Sequence, residues 1–333
     1  MTRLADISRR RFLGGALAFG ATATLAACGY QEESGGAGSD SGNTWSYTDD
    51  RGRKLDGPRP QRIVAQVTAA AALWEFGVRP IGIFGPSKLP NGQKDPQVGN
   101  VDVNRVQSLG NVWGEFNYDR YVSLNPDLLV SVMYLRNELW YVPEEQAGQI
   151  EKVAPTIGVN LAGVSMPDGI EKFRTLAQKL GGDVDAPSVT QAKQAWDRAD
   201  AEFGATVSAT RGKKLMLASA TQDGMYVGNA QGFPSSKHLA DKGLTFVEPA
   251  APGDGNYWEQ LSWENAGKYQ ADAILLDSRF GNLQPRDLTA FPTWQQLPAV
   301  KAGNVFAWNP ETPFSYRAAT EQLNRLARDL KQI

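Results

Sequence analysis

Apolar positions along this chain fall into two registers that follow one another. Short β-branched or Leu-rich runs alternate with segments whose apolar residues recur at three- and four-residue spacing, as strands and helices do in α/β order. Residues 62–67 (RIVAQV) predict a strand behind Pro60, residues 70–78 a helix closing on Gly77, and residues 80–85 the next strand. After a stop at Pro126, residues 128–133 lack the polar alternation of a half-exposed strand, which predicts burial on both faces of a parallel sheet. A helix over EEQAGQIEKVA and a short strand TIGV close this first region.

The middle of the chain is helical. Asp168 with Glu171 reads as a capping box, and Ile170, Phe173, Leu176, Ala177 and Leu180 share one helical face before Gly181 and Gly182 stop it. A second start at Asp185-Ala186-Pro187 leads into Ala192, Ala195, Trp196, Ala199 and Phe203, a helix of about 20 residues and roughly 30 Å, long enough to bridge two lobes. The alternation then resumes with a strand over 213–220, a helix SSKHLADKG, the run LTFVEP, a helical SWENAGKYQ, a strand over 271–278, TWQQLPAVKAG and NVFAW. The last helix, SYRAATEQLNRLARDL, puts Ala319, Leu323, Leu326 and Leu330 on one face.

The N-terminal residues follow a different pattern. Arg3, Arg9, Arg10 and Arg11 precede an apolar run over 12–27, too short and too rich in Ala and Gly for a stable membrane span, and this reads as an export signal. Ser8-Arg9-Arg10-Arg11-Phe12-Leu13 resembles the twin-arginine signal, and Leu25-Ala26-Ala27-Cys28 resembles the bacterial lipobox, whose cysteine is alkylated by a diacylglycerol and becomes the new N-terminus. Cys28 is the only cysteine, so it has no partner for an internal disulfide. We expect a signal peptide over 1–27, an acylated Cys28 with a flexible Gly/Ser-rich tether over 28–44, and a domain held on the outer face of the cell membrane.

Composition narrows the chemistry. Removing residues 1–27 takes away four Arg and one Asp, leaving 30 basic against 35 acidic groups, a net charge near −5 that gives a nucleic acid no basic surface. The sole histidine, His238, sits in a predicted helix without an evident partner; its neighbours Ser235 and Ser236 belong to no G-x-S-x-G elbow, and no P-loop is present. An enzyme is not expected, nor direct capture of a bare metal ion, which needs a His/Cys/Asp/Glu cluster.

Several ordered stretches carry a family resemblance: Pro60-Gln61-Arg62-Ile63-Val64, Leu73 to Gly77, Leu124-Asn125-Pro126-Asp127-Leu128, Lys152-Val153-Ala154-Pro155-Thr156, Leu261-Ser262-Trp263-Glu264 with Ala271-Asp272-Ala273-Ile274, and Leu297-Pro298-Ala299-Val300-Lys301-Ala302-Gly303-Asn304-Val305. Together they resemble the substrate-binding lipoproteins of iron-siderophore and cobalamin ABC importers. The resemblance implies two Rossmann-like α/β lobes joined by a single long helix, with a ligand cleft between the lobes. On that reading residues 45–165 form the N-terminal lobe, 166–210 the linking helical segment and 211–333 the C-terminal lobe. It further implies delivery of a bound chelate to an ABC permease by a monomeric protein with no cofactor of its own.

A ferric siderophore brings its own hard oxygen donors, so such a cleft needs aromatic walls and a few donors rather than metal ligands. Candidates lie just after strands or in loops: Trp113, Tyr134, Arg136, Trp140, Tyr141, Tyr226, Trp258, Arg279 and Phe280, with Tyr257 beside Trp258. So few arginines favour a neutral or cationic chelate of the hydroxamate type. Cobalamin or haem, the latter held by Tyr134 or Tyr226, is the alternative cargo, and a surface lipoprotein that sequesters without transport is the alternative role. From the resemblance alone, Asp119 and Glu264 would dock the permease, with Glu115 able to replace Asp119.

Overall fold

The computed structural model describes residues 44–333; the expected signal over 1–27, Cys28 and all of the tether before Thr44 lie outside the described residues. An antiparallel hairpin that the apolar pattern did not predict, β1 (Thr44–Thr48) and β2 (Lys54–Pro58), opens the fold. β3 (Ile63–Gln66) then runs without a loop into α1 (Val67–Glu75), three residues earlier than the sequence pattern suggests. The cause is Gln66, whose side-chain oxygen accepts the N–H groups of Thr68 and Ala69 at 2.8 and 3.2 Å and so caps the first turn.

β4 (Gly82–Phe84), β5 (Gln107–Ser108), α2 (Tyr118–Ser123), β6 (Leu128–Met133), α3 (Glu144–Val153) and β7 (Thr156–Asn160) complete a five-stranded, all-parallel sheet in the order β5-β4-β3-β6-β7. α4 (Met166–Lys179) and α5 (Pro187–Ala209) follow. The expected Asp168/Glu171 box is displaced by three residues. Ser165 is the N-cap: its hydroxyl donates to the Asp168 carboxylate at 2.6 Å and accepts the Asp168 N–H, with Pro167 in the first turn. At 23 residues α5 is about 35 Å long.

The C-terminal half contains β8 (Lys214–Thr221), β9 (Gly224–Gly228), α6 (Pro234–Asp241), β10 (Thr245–Phe246), β11 (Trp258–Leu261), β12 (Ala273–Asp277), α7 (Pro292–Gln296), α8 (Pro298–Lys301), β13 (Val305–Trp308) and α9 (Tyr316–Asp329). Its sheet runs β11-β9-β8-β12-β13, with β10 parallel to the start of β8. β9 and β11 are antiparallel additions absent from the sequence reading, so this sheet is mixed. Two predicted helices also differ: SWENAGKYQ forms only 3₁₀ turns over Trp263–Lys268, and Pro298, which lacks an N–H to donate, divides TWQQLPAVKAG into α7 and α8.

The central strands β3, β6, β8 and β12 each serve two cores. Ile63, Ala65, Leu128, Val130, Leu215, Leu217, Ala273 and Leu275 point into one continuous apolar cluster that also takes in α1, α4, α5 and α9. Their alternate neighbours Val64 and Leu129 face a cluster under the first sheet, and Met216, Ala218, Ile274 and Leu276 one under the second. That two-faced burial is why these strands read as unbroken apolar runs. The chain also returns from the second sheet to the first. Phe314 stacks on Phe173 of α4 at 5.8 Å, and the buried Glu75 carboxylate of α1 accepts the backbone N–H groups of Tyr316 and Arg317 at 2.5 and 3.2 Å, holding the start of α9.

Candidate functional site

Parallel sheets present ligand sites where strand order reverses, beyond the C-terminal strand ends. In the first sheet the reversal lies between β3 and β6, whose ends carry Gln66 and Tyr134; in the second it lies between β8 and β12, whose ends carry Thr221 and Arg279. Tyr134, Leu135 and Trp140 from the first half meet Phe233, Tyr257, Trp258, Arg279 and Glu311 from the second around a cavity of about 260 Å³.

Its walls are aromatic and interlocked. Tyr134 and Trp140 pack edge to face at 5.3 Å, and Phe233 lies 5.0 Å from Tyr257 and 4.9 Å from Trp258. The Tyr257 hydroxyl donates to the Tyr134 carbonyl at 2.7 Å, a hydrogen bond from one half of the cleft to the other. Burial pushes the Tyr257 phenol up to about 12 and that of Tyr134 well above the ordinary range, so both are neutral donors at physiological pH.

Charge enters the cavity in one cluster. Asp277, fully buried at the end of β12, holds Arg279 through Nε at 3.1 Å and Nη2 at 2.7 Å, and Nη1 donates to Glu311. Burial works against the guanidinium charge, but the two carboxylates more than offset it and raise the Arg279 pKa. For Glu311, burial pushes the carboxyl up, with Arg279 pulling the other way. Among the described residues, three polar atoms of the lining have no well-formed hydrogen bond: the Tyr134 hydroxyl, the Trp140 indole N–H and Glu311 Oε2, the last two belonging to groups that still attract one another.

The other sequence candidates are dispersed. Trp113, 53% exposed, packs against Trp140 at 4.7 Å and Tyr141 at 5.1 Å, and with Tyr141 and the exposed Arg136 it lines a second groove of about 560 Å³. Tyr141 takes a left-handed backbone, φ 64°, to turn its ring there. Phe280, 60% exposed, borders a third groove that shares Arg279 with the aromatic cavity. Tyr226 is half-buried on β9 opposite Gln260 and lines none of these three.

Asp119 is exposed in the first turn of α2, where the neighbouring Arg120 donates to the Ser108 carbonyl at 3.1 Å; Glu115 is also exposed. Glu264 is exposed in the first 3₁₀ turn after Ser262, and a hydrogen bond with Ser262 lowers its pKa. His238, expected to be unpartnered, is not: its Nε2 sits 2.7 Å from Asp200 of α5, which also holds Lys242 at 2.8 Å. This pairing joins residues 38 apart in sequence, beyond what helical spacing can predict.

Sequence reasoning missed three cavity residues, Leu135, Phe233 and Glu311; Leu135 lies between two candidates, Tyr134 and Arg136. Glu311 follows the last parallel strand, so the rule that selected Arg279 also reaches it. Phe233 precedes the Pro-led α6 and carries no comparable signal. Among the described residues no three His, Cys, Asp or Glu side chains are grouped to hold a metal ion, and no helix is long and apolar enough to cross a membrane.

Comparison with known proteins gives concordant matches. The model of the periplasmic binding protein family matches residues 81–312. The crystal structure of DesE, a ferric-siderophore receptor protein from Streptomyces coelicolor, superposes with a TM-score of 0.81 at 38% identity over 86% of this chain and 98% of that one. The iron(3+)-hydroxamate-binding protein FhuD of Bacillus subtilis is 26% identical over 86% of this chain and 87% of its own. The Fe(3+)-citrate-binding protein YfmC of the same organism is 22% identical over 93% and 92%.

Proposed function

The chain belongs to the periplasmic binding protein family, and from that premise we propose that it captures a ferric siderophore of the hydroxamate type and delivers it to an ABC permease. The observation that carries this reading is the aromatic cavity whose single arginine is already held by two carboxylates. Such a lining suits a bulky organic chelate that arrives with its iron fully coordinated and carries no excess negative charge. A triply anionic catecholate or a citrate complex would need free cations, and Arg279 offers none uncompensated. Of the similar proteins, the iron(3+)-hydroxamate-binding protein supports the hydroxamate class and the ferric-siderophore receptor the broader ferric-siderophore class, while the Fe(3+)-citrate-binding relative marks citrate as the competing cargo.

The lipobox at Cys28 supports anchoring to the outer face of the membrane, with the tether before β1 giving the domain reach. Exposed carboxylates at Asp119 and Glu264, one on each half of the fold, suit docking to basic groups of a permease.

Intrinsic tryptophan fluorescence tests the ligand class, because Trp140 and Trp258 line the cavity. Titration with a ferric trihydroxamate is expected to quench saturably, with Trp258→Ala weakening affinity about tenfold through loss of one buried aromatic wall. Saturation only with a catecholate, ferric citrate, haem or cobalamin would overturn the hydroxamate assignment.

A further inference from the structure

We propose that Glu311 determines specificity within the cleft by accepting the protonated amine of a ferric chelate that carries one, so that chelates with a cationic arm bind better than otherwise identical neutral ones. This rests on the hydroxamate reading above and goes beyond it to the ligand's charge.

The argument starts from a surplus of carboxylate. Asp277 already engages Arg279 through two guanidinium nitrogens, a geometry that satisfies one positive charge. Glu311 spends one oxygen on the remaining Arg279 nitrogen; Oε2 has no well-formed hydrogen bond among the described residues, although the Trp140 indole N–H lies close enough to favour its charge and the residue is only 4% exposed. With both carboxylates ionised, the cluster of Asp277, Arg279 and Glu311 carries a net charge of −1 at the cavity wall, and an incoming cation favours that ionised form of Glu311 against the burial that opposes it.

A buried carboxylate oxygen without a donor is costly, because its desolvation is not repaid by any hydrogen bond. The groups facing it compound the preference. Trp140, Tyr257, Phe233 and Trp258 present ring faces and edges around the same space, and aromatic faces attract cations. Apart from Arg279, no cation among the described residues lines the cavity. An ammonium with three donors satisfies Oε2, brings the net charge of the site from −1 to zero and sits among the rings. A neutral acetamide in its place offers one weaker donor and no charge.

The test compares two ferric trihydroxamates that differ only in this group: ferric desferrioxamine B, with a terminal ammonium, and its N-acetyl derivative. Affinities are read by tryptophan quenching for the wild-type protein, Glu311→Gln and Glu311→Asp. The wild type is expected to prefer the amine by about tenfold, equivalent to about 1.4 kcal/mol. Glu311→Gln is expected to lose that preference while still binding the acetylated chelate, and Glu311→Asp, which keeps the charge, to retain part of it. Equal affinities in the wild type, or a preference that survives in Glu311→Gln, overturn the inference and leave the hydroxamate reading standing. If neither chelate binds the wild type, the hydroxamate reading fails and this inference falls with it.

Discussion

Arg279 and Glu259 show how a charged side chain taken into the interior can serve a site or serve stability according to its surroundings. Arg279 is an interior cation serving a cleft. Glu259, in the second half of the fold, is a buried anion serving stability: Lys268 donates to it, as do the Tyr269 hydroxyl at 2.6 Å and the backbone N–H groups of Ala250 and Ala251 at 2.8 and 3.3 Å. Burial acts to raise its pKa, but these donors outweigh it and hold the carboxyl at about 2 against an ordinary 4.5. A depressed carboxyl contributes stability above its unfolded pKa and loses it as pH falls toward the folded one. Glu259→Gln is therefore expected to lower the urea midpoint at neutral pH, with the gap from wild type closing below about pH 4.5. A gap that stays constant down to pH 3 would contradict this. By contrast, exposed pairs such as Lys193 with Asp197 add only about 0.3 to 0.5 kcal/mol each. At this scale the sequence was informative about position but not partnership. Arg279 was legible because it follows a buried strand, whereas its bond to Glu311 spans 32 residues and exists only once β12 and β13 lie side by side.

Among the elements, parallel strands and long helices were legible because their burial leaves a periodic trace. β6 is a six-residue run buried throughout, and α5 carries Ala192, Trp196, Ala199 and Phe203 at helical spacing. The antiparallel strands β9 and β11 left no such trace: β9 begins and ends with glycine, and β11 includes Glu259 and Gln260. Trp258 consequently looked like a loop residue although it opens a strand. Helix starts were misplaced where a side chain rather than a pattern sets them, as at Gln66 and Ser165. The start of α9 depends on a residue 241 positions earlier, since Glu75 caps Tyr316 N–H. Glu75→Ala leaves the buried Tyr316 N–H and the neighbouring Arg317 N–H without that acceptor, and is expected to destabilise the protein by about 1 to 3 kcal/mol, lowering the melting temperature by several degrees. An unchanged melting temperature would show that the cap is dispensable.

For the whole molecule, the decisive feature is that both sheets share one apolar cluster through α1, α4, α5 and α9. Opening the cleft as a wide hinge would break that cluster, at about 25 cal/mol for each Å² of apolar surface exposed. Ligand entry should instead use local shifts around the cavity, including release of Tyr257 from the Tyr134 carbonyl. Small-angle scattering is therefore expected to give the same radius of gyration before and after saturation with ligand, and a clear contraction on binding would contradict it. Two-lobed organisation was legible in the alternation of elements and the long α5. The shared core was not, because which faces of two sheets meet the same helices is a property of the folded chain.

The measurement that tests the central claim most directly is isothermal titration of the protein with ferric desferrioxamine B and, in parallel, with the iron-free chelator. One-to-one binding of the iron-loaded form, with the iron-free form much weaker, is the predicted result: the cavity should recognise a compact, pre-coordinated chelate. Absence of binding by the ferric complex, or equal binding of both forms, would contradict the account.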